Sequence, residues 1–323
     1  MKILLTGASG FVGSHILDAL RARNLDTAIL LRPSSSRNFI AAHLPKVEIR
    51  TGSIDDSESL RQAMTDVTHV IHCAGATKAR RNPEFYEVNQ VGTRNVVAAA
   101  NAAKATRLIH ISSLAAAGPA TPEKPAREDD PPHPVSEYGR SKLAGEKEVR
   151  EQARCEYVIV RPPAVYGPRD AEFLRLFKAI QSHVLPKTSA QVLSFVFVHD
   201  LAEAVVQCLA HPKAAGRTYF VAARETATAS AMAQEIAWQF GHWTIPLPLP
   251  TAFLWPVCLA QEVMTRLTGK ANVLSLQKYA ELSAPGWVCD PSRLESEMGY
   301  TCVTTLKTGI AQTFSWYREN HWL

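Results

Sequence analysis

The sequence has few cysteines, and no two of them stand at the C-x-x-C spacing. The six cysteines are Cys73, Cys155, Cys208, Cys258, Cys289 and Cys302. Such wide spacing excludes a zinc ribbon and a small disulfide scaffold. We therefore expect reduced thiols, no metal site and a cytoplasmic protein.

Long apolar runs and runs of basic residues are also missing. The first apolar stretch, Ile3–Leu5 in MKILLTGASG, is too short for the core of a signal peptide. Lys and Arg total 35 against 30 Asp and Glu, for a net charge of +5, yet the basic residues stay scattered. We expect a globular protein with no transmembrane segment and no nucleic-acid partner.

One segment lacks charged residues altogether. Residues 236–261 contain no Asp, Glu, Lys or Arg. Its prolines, at 246, 248, 250 and 256, break helix geometry repeatedly, which argues against a bilayer-spanning helix of about 20 residues. A packed core, an apolar substrate lid and a peripheral membrane contact remain open for this segment.

What the sequence does contain is a regular alternation of strands and helices. Strands are predicted at 3–5, 27–31, 47–50, 69–72, 107–111 and 157–161, and helices at 14–23, 38–44, after Asp56, at 85–103 and at 137–152. This alternation predicts an α/β fold with a Rossmann-type doubly wound parallel sheet. The proline-rich stretch 118–134 is expected to be a surface loop.

Beyond residue 161 the alternation breaks, although 195–198 and 219–221 still have the pattern of strands that could rejoin the sheet. We therefore predict a dinucleotide-binding domain over 1–165, with 193–225 returning to its sheet. A smaller, mainly helical substrate lobe is predicted from 166–192 and 226–323.

Three glycines follow the first predicted strand directly. Gly7 permits a tight turn, Gly10 lets the backbone approach a pyrophosphate, and Gly13 lets the following helix pack close to the sheet. The amides at the helix start would then face the anion. This arrangement predicts a dinucleotide cofactor.

The residue at the end of the second strand indicates which dinucleotide. An acid there binds ribose hydroxyls, whereas a basic residue accommodates a 2'-phosphate. Here the strand ends in Arg32, with Arg37 as a second contact, and Asp26 lies at the wrong end. NADP is favoured, and NAD stays open as the alternative, since an exposed arginine is also common without any ligand.

Tyr138 and Lys142 stand four residues apart on one face of a predicted helix. A free phenol has a pKa of about 10, and a nearby cation is expected to lower it so that the group can exchange protons. Ser113 follows the strand 107–111, at the edge where ligands bind in open parallel sheets. Ser113, Tyr138 and Lys142 are the predicted catalytic residues.

Seven stretches together resemble the extended short-chain dehydrogenase/reductase family, the NAD-dependent epimerase/dehydratase superfamily that includes 3-beta-hydroxysteroid dehydrogenases. They are TGASGFVGSHI (6–16), HCAG (72–75), VNQVGTRNV (88–96), ISSLAAAG (111–118), YGRSK (138–142), RPPAVYGPRD (161–170) and FVFVHDLAEA (195–204). The resemblance implies the same catalytic residues, with Asn89 supporting the helix geometry.

The resemblance also implies which residues bind the cofactor. They are Gly7, Ser9, Gly10, Phe11, Val12 and Gly13 at the pyrophosphate, Arg32, Ser53, Ile54, Cys73, Ala74 and Gly75 on the adenosine side, and Ser112, Tyr138, Lys142, Pro162 and Val165 toward the nicotinamide. The family commonly has Asp at the position of Ser53, which is a departure.

Two further departures concern the substrate. Nucleotide-sugar enzymes of the family usually carry Asn in the segment matched by Pro163–Ala164, and Arg where this chain has Leu193. Without such groups a diphosphate loses charge-assisted hydrogen bonds of about 1.5 to 3 kcal/mol each. We therefore expect a small-molecule substrate that is apolar, of the steroid or 3-oxo-lipid kind.

Two other functions remain as alternatives. One is a nucleotide-sugar epimerase, dehydratase or reductase, and the other is a non-catalytic dinucleotide-binding sensor or scaffold. The predicted helices 85–103 and 137–152 resemble those that pair in family dimers, so we expect a homodimer.

Overall fold

Strands and helices alternate along the chain, and the computed structural model describes residues 1–187, 191–248, 261 and 276–323. The strands are β1 (Lys2–Thr6), β2 (Asp26–Leu31), β3 (Glu48–Thr51), β4 (His69–His72), β5 (Arg107–Ile111), β6 (Glu156–Arg161), β7 (Ala164–Tyr166), β8 (Val184–Lys187), β9 (Val192–Phe197), β10 (Arg217–Phe220), β11 (Thr226–Thr228), β12 (Ile245–Pro248) and β13 (Gly286–Trp287).

The helices are α1 (Phe11–Ala22), α2 (Ser57–Ala63), α3 (Asn82–Tyr86), α4 (Thr93–Ala102), α5 (Leu114–Ala117), α6 (Glu137–Gln152), α7 (Phe173–Gln181), α8 (Val198–Gln207), α9 (Ala229–Phe240), α10 (Leu276–Leu282), α11 (Ser292–Met298) and α12 (Leu306–Glu319). Short 3-10 helices cover Asn38–Lys46 and Pro212–Ala214.

Seven of the described strands form one parallel sheet in the order β10-β6-β5-β4-β1-β2-β3. Neighbouring residues of β1 bury on opposite faces: Ile3 and Leu5 pack in one core cluster, and Leu4 packs in another. A parallel sheet covered on both faces requires such continuous apolar strands. The predicted Rossmann-type sheet is confirmed. The order of the strands reverses between β1 and β4, which is the point where ligands bind in such folds.

Of the two strands that were predicted to rejoin the large sheet, one does so and the other does not. The strand predicted at 219–221 is β10, which pairs with β6 in the large sheet. The prediction for 195–198 is wrong, because that strand is β9, which ends at Phe197 and pairs with β7, β11 and β13 in a second sheet. The physical reason is the aromatic packing of β9, since Phe195 and Phe197 both contact Tyr166 of β7 in the core of the lobe.

The helix predicted over 85–103 is interrupted. Between α3 and α4 lies one π-helical turn, Glu87–Gly92. The Thr93 hydroxyl donates to the carbonyl oxygen of Asn89 at 2.7 Å, and a Cβ atom on Gly145 of α6 would lie 2.3 Å from the same oxygen. Such turns are frequent at functional sites, and this one presents the Asn89 side chain to the loop after β4.

The uncharged segment 236–261 is only partly described. Ile236 is fully buried at the end of α9, whereas Trp238, Trp243, Ile245 and Leu247 are 65%, 66%, 60% and 47% exposed. Residues 249–260, which hold two of its four prolines, lie outside the described residues. In the part of the chain that the structure describes, no helix has the length and apolar character needed to cross a membrane.

Candidate active site

The loop between β1 and α1 is held in a shape that requires glycine at two positions. Gly7 has φ +74°, and a Cβ atom there would lie 2.6 Å from the amide nitrogen of Ala74. A Cβ atom on Gly13 would lie 2.0 Å from the carbonyl oxygen of Gly7. The predicted tight turn at Gly7 and close packing at Gly13 are confirmed. At Gly10 a Cβ atom would lie 3.3 Å from the Gly7 oxygen, which is tight but less severe.

A cleft of about 670 Å³ opens at the carboxyl ends of β1 to β4. Nine of the predicted cofactor residues line it: Gly7, Ser9, Gly10, Arg32, Ser53, Ile54, Cys73, Ala74 and Gly75. Phe11, Val12 and Gly13 form the first turn of α1, behind the glycine loop. The first amides of α1 have no partner within the helix, as at any helix start, so this end of the cleft suits an anion.

Arg32 stands at the rim of the cleft, in a turn that the sequence did not identify. The Arg32 amide donates to the Ser35 hydroxyl at 3.2 Å, and the Ser35 amide donates to the Arg32 carbonyl at 2.9 Å. Both residues line the cleft and Arg32 is exposed, whereas Arg37 does not line it. A guanidinium and a hydroxyl are thus available together for an anionic group.

A buried histidine behind the cleft ties two loops together. His72 Nδ1 lies 2.8 Å from Thr6 Oγ1, and His72 Nε2 lies 3.0 Å from Thr93 Oγ1. Burial, followed by the charge of Lys142, lowers the pKa of His72 to about 3, so the ring is neutral. The Thr6 hydroxyl also accepts from the Ala74 amide at 3.2 Å, which holds the loop after β4 against β1.

Ser113 and Tyr138 meet at the carboxyl edge of β5. Ser113 caps α5 by accepting from the Ala115 amide at 3.1 Å, and Tyr138 lies in the first turn of α6. Burial raises the pKa of Tyr138 to about 12, although a hydrogen bond with Ser113 acts in the opposite direction. The expected lowering of this pKa is therefore wrong for the protein by itself, because the loss of solvation outweighs the stabilising contacts of the phenolate.

Lys142 lies one turn further along α6 and is 5% exposed. Its Nζ donates to the Ile111 carbonyl at 2.7 Å and would be 3.5 Å from a Cβ atom on Gly75. Burial lowers the pKa of Lys142 to about 8, while Cys73 and Glu146 act to raise it. The ammonium therefore remains mostly charged at pH 7 and faces the loop that lines the cleft.

Asn89 joins the loop after β4 to the catalytic helix. Its amide nitrogen donates to the Ala76 carbonyl at 3.0 Å and to the Ser141 hydroxyl at 2.9 Å, and its carbonyl accepts from the Ala76 amide at 2.8 Å. Ser141 stands between Tyr138 and Lys142 on α6. The supporting role that the resemblance implies for Asn89 agrees with these contacts.

The side chain of Ser112 is engaged inside the fold. Its hydroxyl donates to Glu146 at 2.6 Å, and Arg161 donates to the two oxygens of the same carboxylate at 2.8 and 2.7 Å. Burial would raise the pKa of Glu146, but the Arg161 and Arg150 guanidinium groups hold it below its usual value. This ion pair holds α6, the helix that carries Tyr138 and Lys142, against β6.

The segment after β6 also contacts the serine strand. The Leu114 amide donates to the Pro162 carbonyl at 2.8 Å, and Val165 in β7 pairs with Val196 in β9. Pro162 therefore lies beside the segment that carries Ser113, and Val165 lies in the second sheet.

Sequence reasoning missed one charged contact to the catalytic helix. Ser136, the N-cap residue of α6, donates its hydroxyl to Glu281 of α10 at 2.7 Å. The charge of Glu281 also acts to raise the pKa of Tyr138, after burial. A serine two residues before Tyr138 was a recognisable capping signal, but nothing in the local sequence indicates its partner 145 residues away.

Comparison with known proteins adds a family and several relatives. Residues 3–222 match the model of the NAD dependent epimerase/dehydratase family. The chain is 32% identical to ceramide reductase of Caulobacter vibrioides over 99% of this chain and 96% of that protein. It is 28% identical to UDP-glucose 4-epimerase of Vibrio cholerae over 97% of this chain and 94% of that protein. The crystal structure of gox2253 superposes with a TM-score of 0.82 at 25% identity, over 98% of both chains.

Proposed function

The chain belongs to the NAD-dependent epimerase/dehydratase family, and from this we propose that it transfers hydride reversibly between NADP(H) and an apolar ketone or secondary alcohol. The observation that carries the proposal is the hydrogen bond between Ser113 and Tyr138, with the Lys142 ammonium one turn further along the same helix and beside Gly75, a residue of the cleft lining. A protein that only bound the cofactor would not need these three groups.

The cleft suits a dinucleotide because its glycine loop leaves no room for side chains. We assign the pyrophosphate to the loop Gly7–Gly13, where added Cβ atoms would collide with backbone. Arg32 and Ser35 support NADP over NAD, since they offer a guanidinium and a hydroxyl where a 2'-phosphate would be bound. NAD is the alternative if these two residues remain solvated.

Tyr138 acts as the acid in reduction and the base in oxidation. When bound, the dinucleotide supplies the hydride to a carbonyl carbon or accepts it from the alcohol carbon. In reduction the Tyr138 phenol gives its proton to the carbonyl oxygen, and in oxidation the phenolate takes the hydroxyl proton back. The Ser113 hydroxyl, which already reaches the phenol, holds the same substrate oxygen.

Lys142 provides positive charge for the phenolate that forms when Tyr138 gives up its proton. Its ammonium is fixed by the Ile111 carbonyl, so little reorganisation is needed when the charge develops. With a pKa lowered to about 8, Lys142 carries that charge at neutral pH.

We propose a lipid-like substrate for two reasons. Leu193 and Pro163–Ala164 replace polar groups that nucleotide-sugar enzymes of the family carry, and the similar protein from Caulobacter vibrioides is named for ceramide, a lipid. The exposed Trp238 and Trp243 of the substrate lobe are also side chains that suit a lipid interface, which supports peripheral membrane contact through 236–261.

The second candidate is a nucleotide-sugar epimerase, which the likeness to the Vibrio cholerae enzyme favours. The test is NADPH consumption with a panel of long-chain and steroid ketones, set beside epimer formation with UDP and GDP sugars. We expect turnover of the ketones and none of the sugars. Turnover of the sugars alone would replace the first proposal with the second.

Two further properties belong to the proposal. We expect a homodimer that uses the outer face of α6, where Leu143 and Ala144 lie between Arg140 and Lys147. Light scattering should give twice the chain mass of 35.5 kDa, and the monomer mass would refute it. A cytoplasmic location is supported by the five described cysteines, which are all free thiols.

A further inference from the structure

The carboxylate of Glu281 lies at the N-terminus of the catalytic helix, although it comes from the substrate lobe. The Ser136 side chain is buried and bonds in two directions: its oxygen accepts from the Gly139 amide at 3.1 Å, and its hydroxyl donates to Glu281 Oε1 at 2.7 Å. A carboxylate is favourable at a helix N-terminus because it offsets the partial positive charge of the unpaired amides. Glu281 thus extends the cap of α6 from another part of the chain.

The backbone of Glu281 is fixed by two other elements. Its carbonyl accepts from Gln191 Nε2 at 3.1 Å and from Trp287 Nε1 at 2.9 Å. Gln191 Nε2 also donates to the Ala284 carbonyl at 2.7 Å, and Trp287 pairs with Leu193 of β9. These bonds anchor the end of α10 independently of the contact between the Glu281 carboxylate and Ser136.

The groups around Tyr138 come from four elements. Phe85 of α3 offers an apolar ring, Ser113 offers a hydroxyl, Lys142 of the same helix carries a positive charge, and Glu281 of α10 carries a negative one. Glu281 is the member of this set that the substrate lobe contributes. A negative charge near a phenol favours the form that keeps its proton.

We propose that Glu281 is a positioning residue of the active site, which fastens the substrate lobe to the N-terminus of α6 and adds its charge to burial in favouring the proton-donating form of Tyr138. The chemical part of this inference rests on the proposed function, because only an acid/base at Tyr138 makes its protonation matter for turnover. The protonation of Tyr138 itself is measurable without turnover.

Two variants separate the charge of Glu281 from its hydrogen bond. Glu281→Gln removes the charge and leaves an acceptor for Ser136, whereas Ser136→Ala removes the hydrogen bond and leaves the charge. Glu281→Asp restores the charge on a shorter side chain and serves as the conservative rescue. Circular dichroism and thermal unfolding show that each variant is folded.

The activity-independent readout is the ionisation of Tyr138, followed by the carbon-13 resonance of its Cζ atom and assigned by its loss in Tyr138→Phe. We expect Tyr138 to ionise at lower pH in Glu281→Gln than in the wild type, and Glu281→Asp to return toward the wild-type curve. Ser136→Ala should leave the ionisation near its wild-type position. Curves that overlap for wild type and Glu281→Gln, including curves that both stay flat until unfolding, would overturn the proposal.

The kinetic readout is alcohol oxidation, which needs the phenolate. At a fixed pH below the ionisation of Tyr138, kcat/KM for oxidation should rise about threefold to tenfold in Glu281→Gln, because the fraction of phenolate rises when the pKa of Tyr138 falls. Ser136→Ala should instead raise KM without moving the pH profile. If the wild type turns over no ketone or alcohol, the proposed function fails, and the resonance of Tyr138 still decides the role of Glu281.

Discussion

The cofactor cleft and the substrate side of the site are built from contacts of very different range. In the cleft, the decisive contacts join Gly7 to Gly13 and Gly7 to Ala74, through backbone atoms of one loop and the strand beside it. On the substrate side, Ser136 meets Glu281 across 145 residues, and Gln191 meets the same helix across 90. Tyr138 lies where the two regions join.

This difference shows how each region tolerates change. A backbone loop without space for a Cβ atom fails when one atom is added, because the neighbouring backbone has to move. A side-chain contact between two lobes can be removed while both lobes stay folded, and its loss shows in proton transfer or substrate affinity. The predictions below test whether cofactor binding and proton transfer separate in this way, from the largest expected effect to the smallest.

Tyr138→Phe should separate the two regions most strongly. Removing the phenol oxygen takes away the acid/base, so kcat should fall at least about 10²-fold while the dissociation constant of NADPH stays nearly unchanged. Cofactor fluorescence titration and steady-state kinetics measure the two quantities. Tyr219→Phe, on β10 and bonded to Glu297, is the matched control and should keep full activity. Wild-type turnover in Tyr138→Phe would refute the mechanism.

Gly13→Ala should weaken cofactor binding, which is the property that Tyr138→Phe leaves nearly unchanged. The added Cβ atom would meet the Gly7 carbonyl oxygen at 2.0 Å, so the loop must shift, at a cost of about 1 to 3 kcal/mol. We expect NADPH affinity to fall by at least about tenfold, measured by fluorescence titration. Gly216→Ala, where φ is +72° but no atom lies within 4 Å, controls for backbone strain and should lose stability without losing affinity. Equal affinity in Gly13→Ala and wild type would show that the loop does not hold the cofactor.

Lys142→Met tests a residue on the helix where the two regions join, because the substitution should abolish activity and raise the stability of the fold. The pKa of Lys142 is lowered from 10.5 to about 8 in the folded protein. Between these two pH values only the unfolded chain binds the proton, so the folded protein loses stability as the pH falls, and the loss is complete below about pH 8. The variant should be inactive yet more stable at pH 7 by roughly 3 kcal/mol, with the gain shrinking as the pH rises toward 10.5. Urea unfolding at pH 7 and pH 10 tests this, with the exposed Lys147→Met as control. A gain that grows with pH would contradict the sign.

Arg32→Ala should have the smallest effect, because Arg32 is exposed at the rim of the cleft. Loss of one charge-assisted hydrogen bond should lower the preference for NADPH over NADH about tenfold while leaving NADH affinity unchanged. Arg37→Ala, outside the cleft lining, should leave the preference intact. An unchanged ratio of NADPH to NADH affinity in Arg32→Ala would show that another residue sets the preference for NADP.

Much of the cleft could be predicted from the sequence because its physics is local. Gly7, Gly10 and Gly13 lie within seven residues, and their spacing after an apolar strand predicts the turn, although α1 begins at Phe11 and not at residue 14 as expected. The strands β4 and β5 and the helix α6 were likewise located at their observed bounds, since apolar periodicity depends on neighbouring residues.

Only the tertiary structure decided the rest, because it depends on burial and on partners far away in the chain. Burial, which no local pattern encodes, reversed the expected pKa direction of Tyr138. Aromatic packing against Tyr166 places β9 in the second sheet and not in the large sheet, where it was predicted. The carboxylate of Glu281 reaches Ser136 only because α10 lies against the N-terminus of α6, so the sequence determined which residues are candidates for the chemistry and the fold determined their environment.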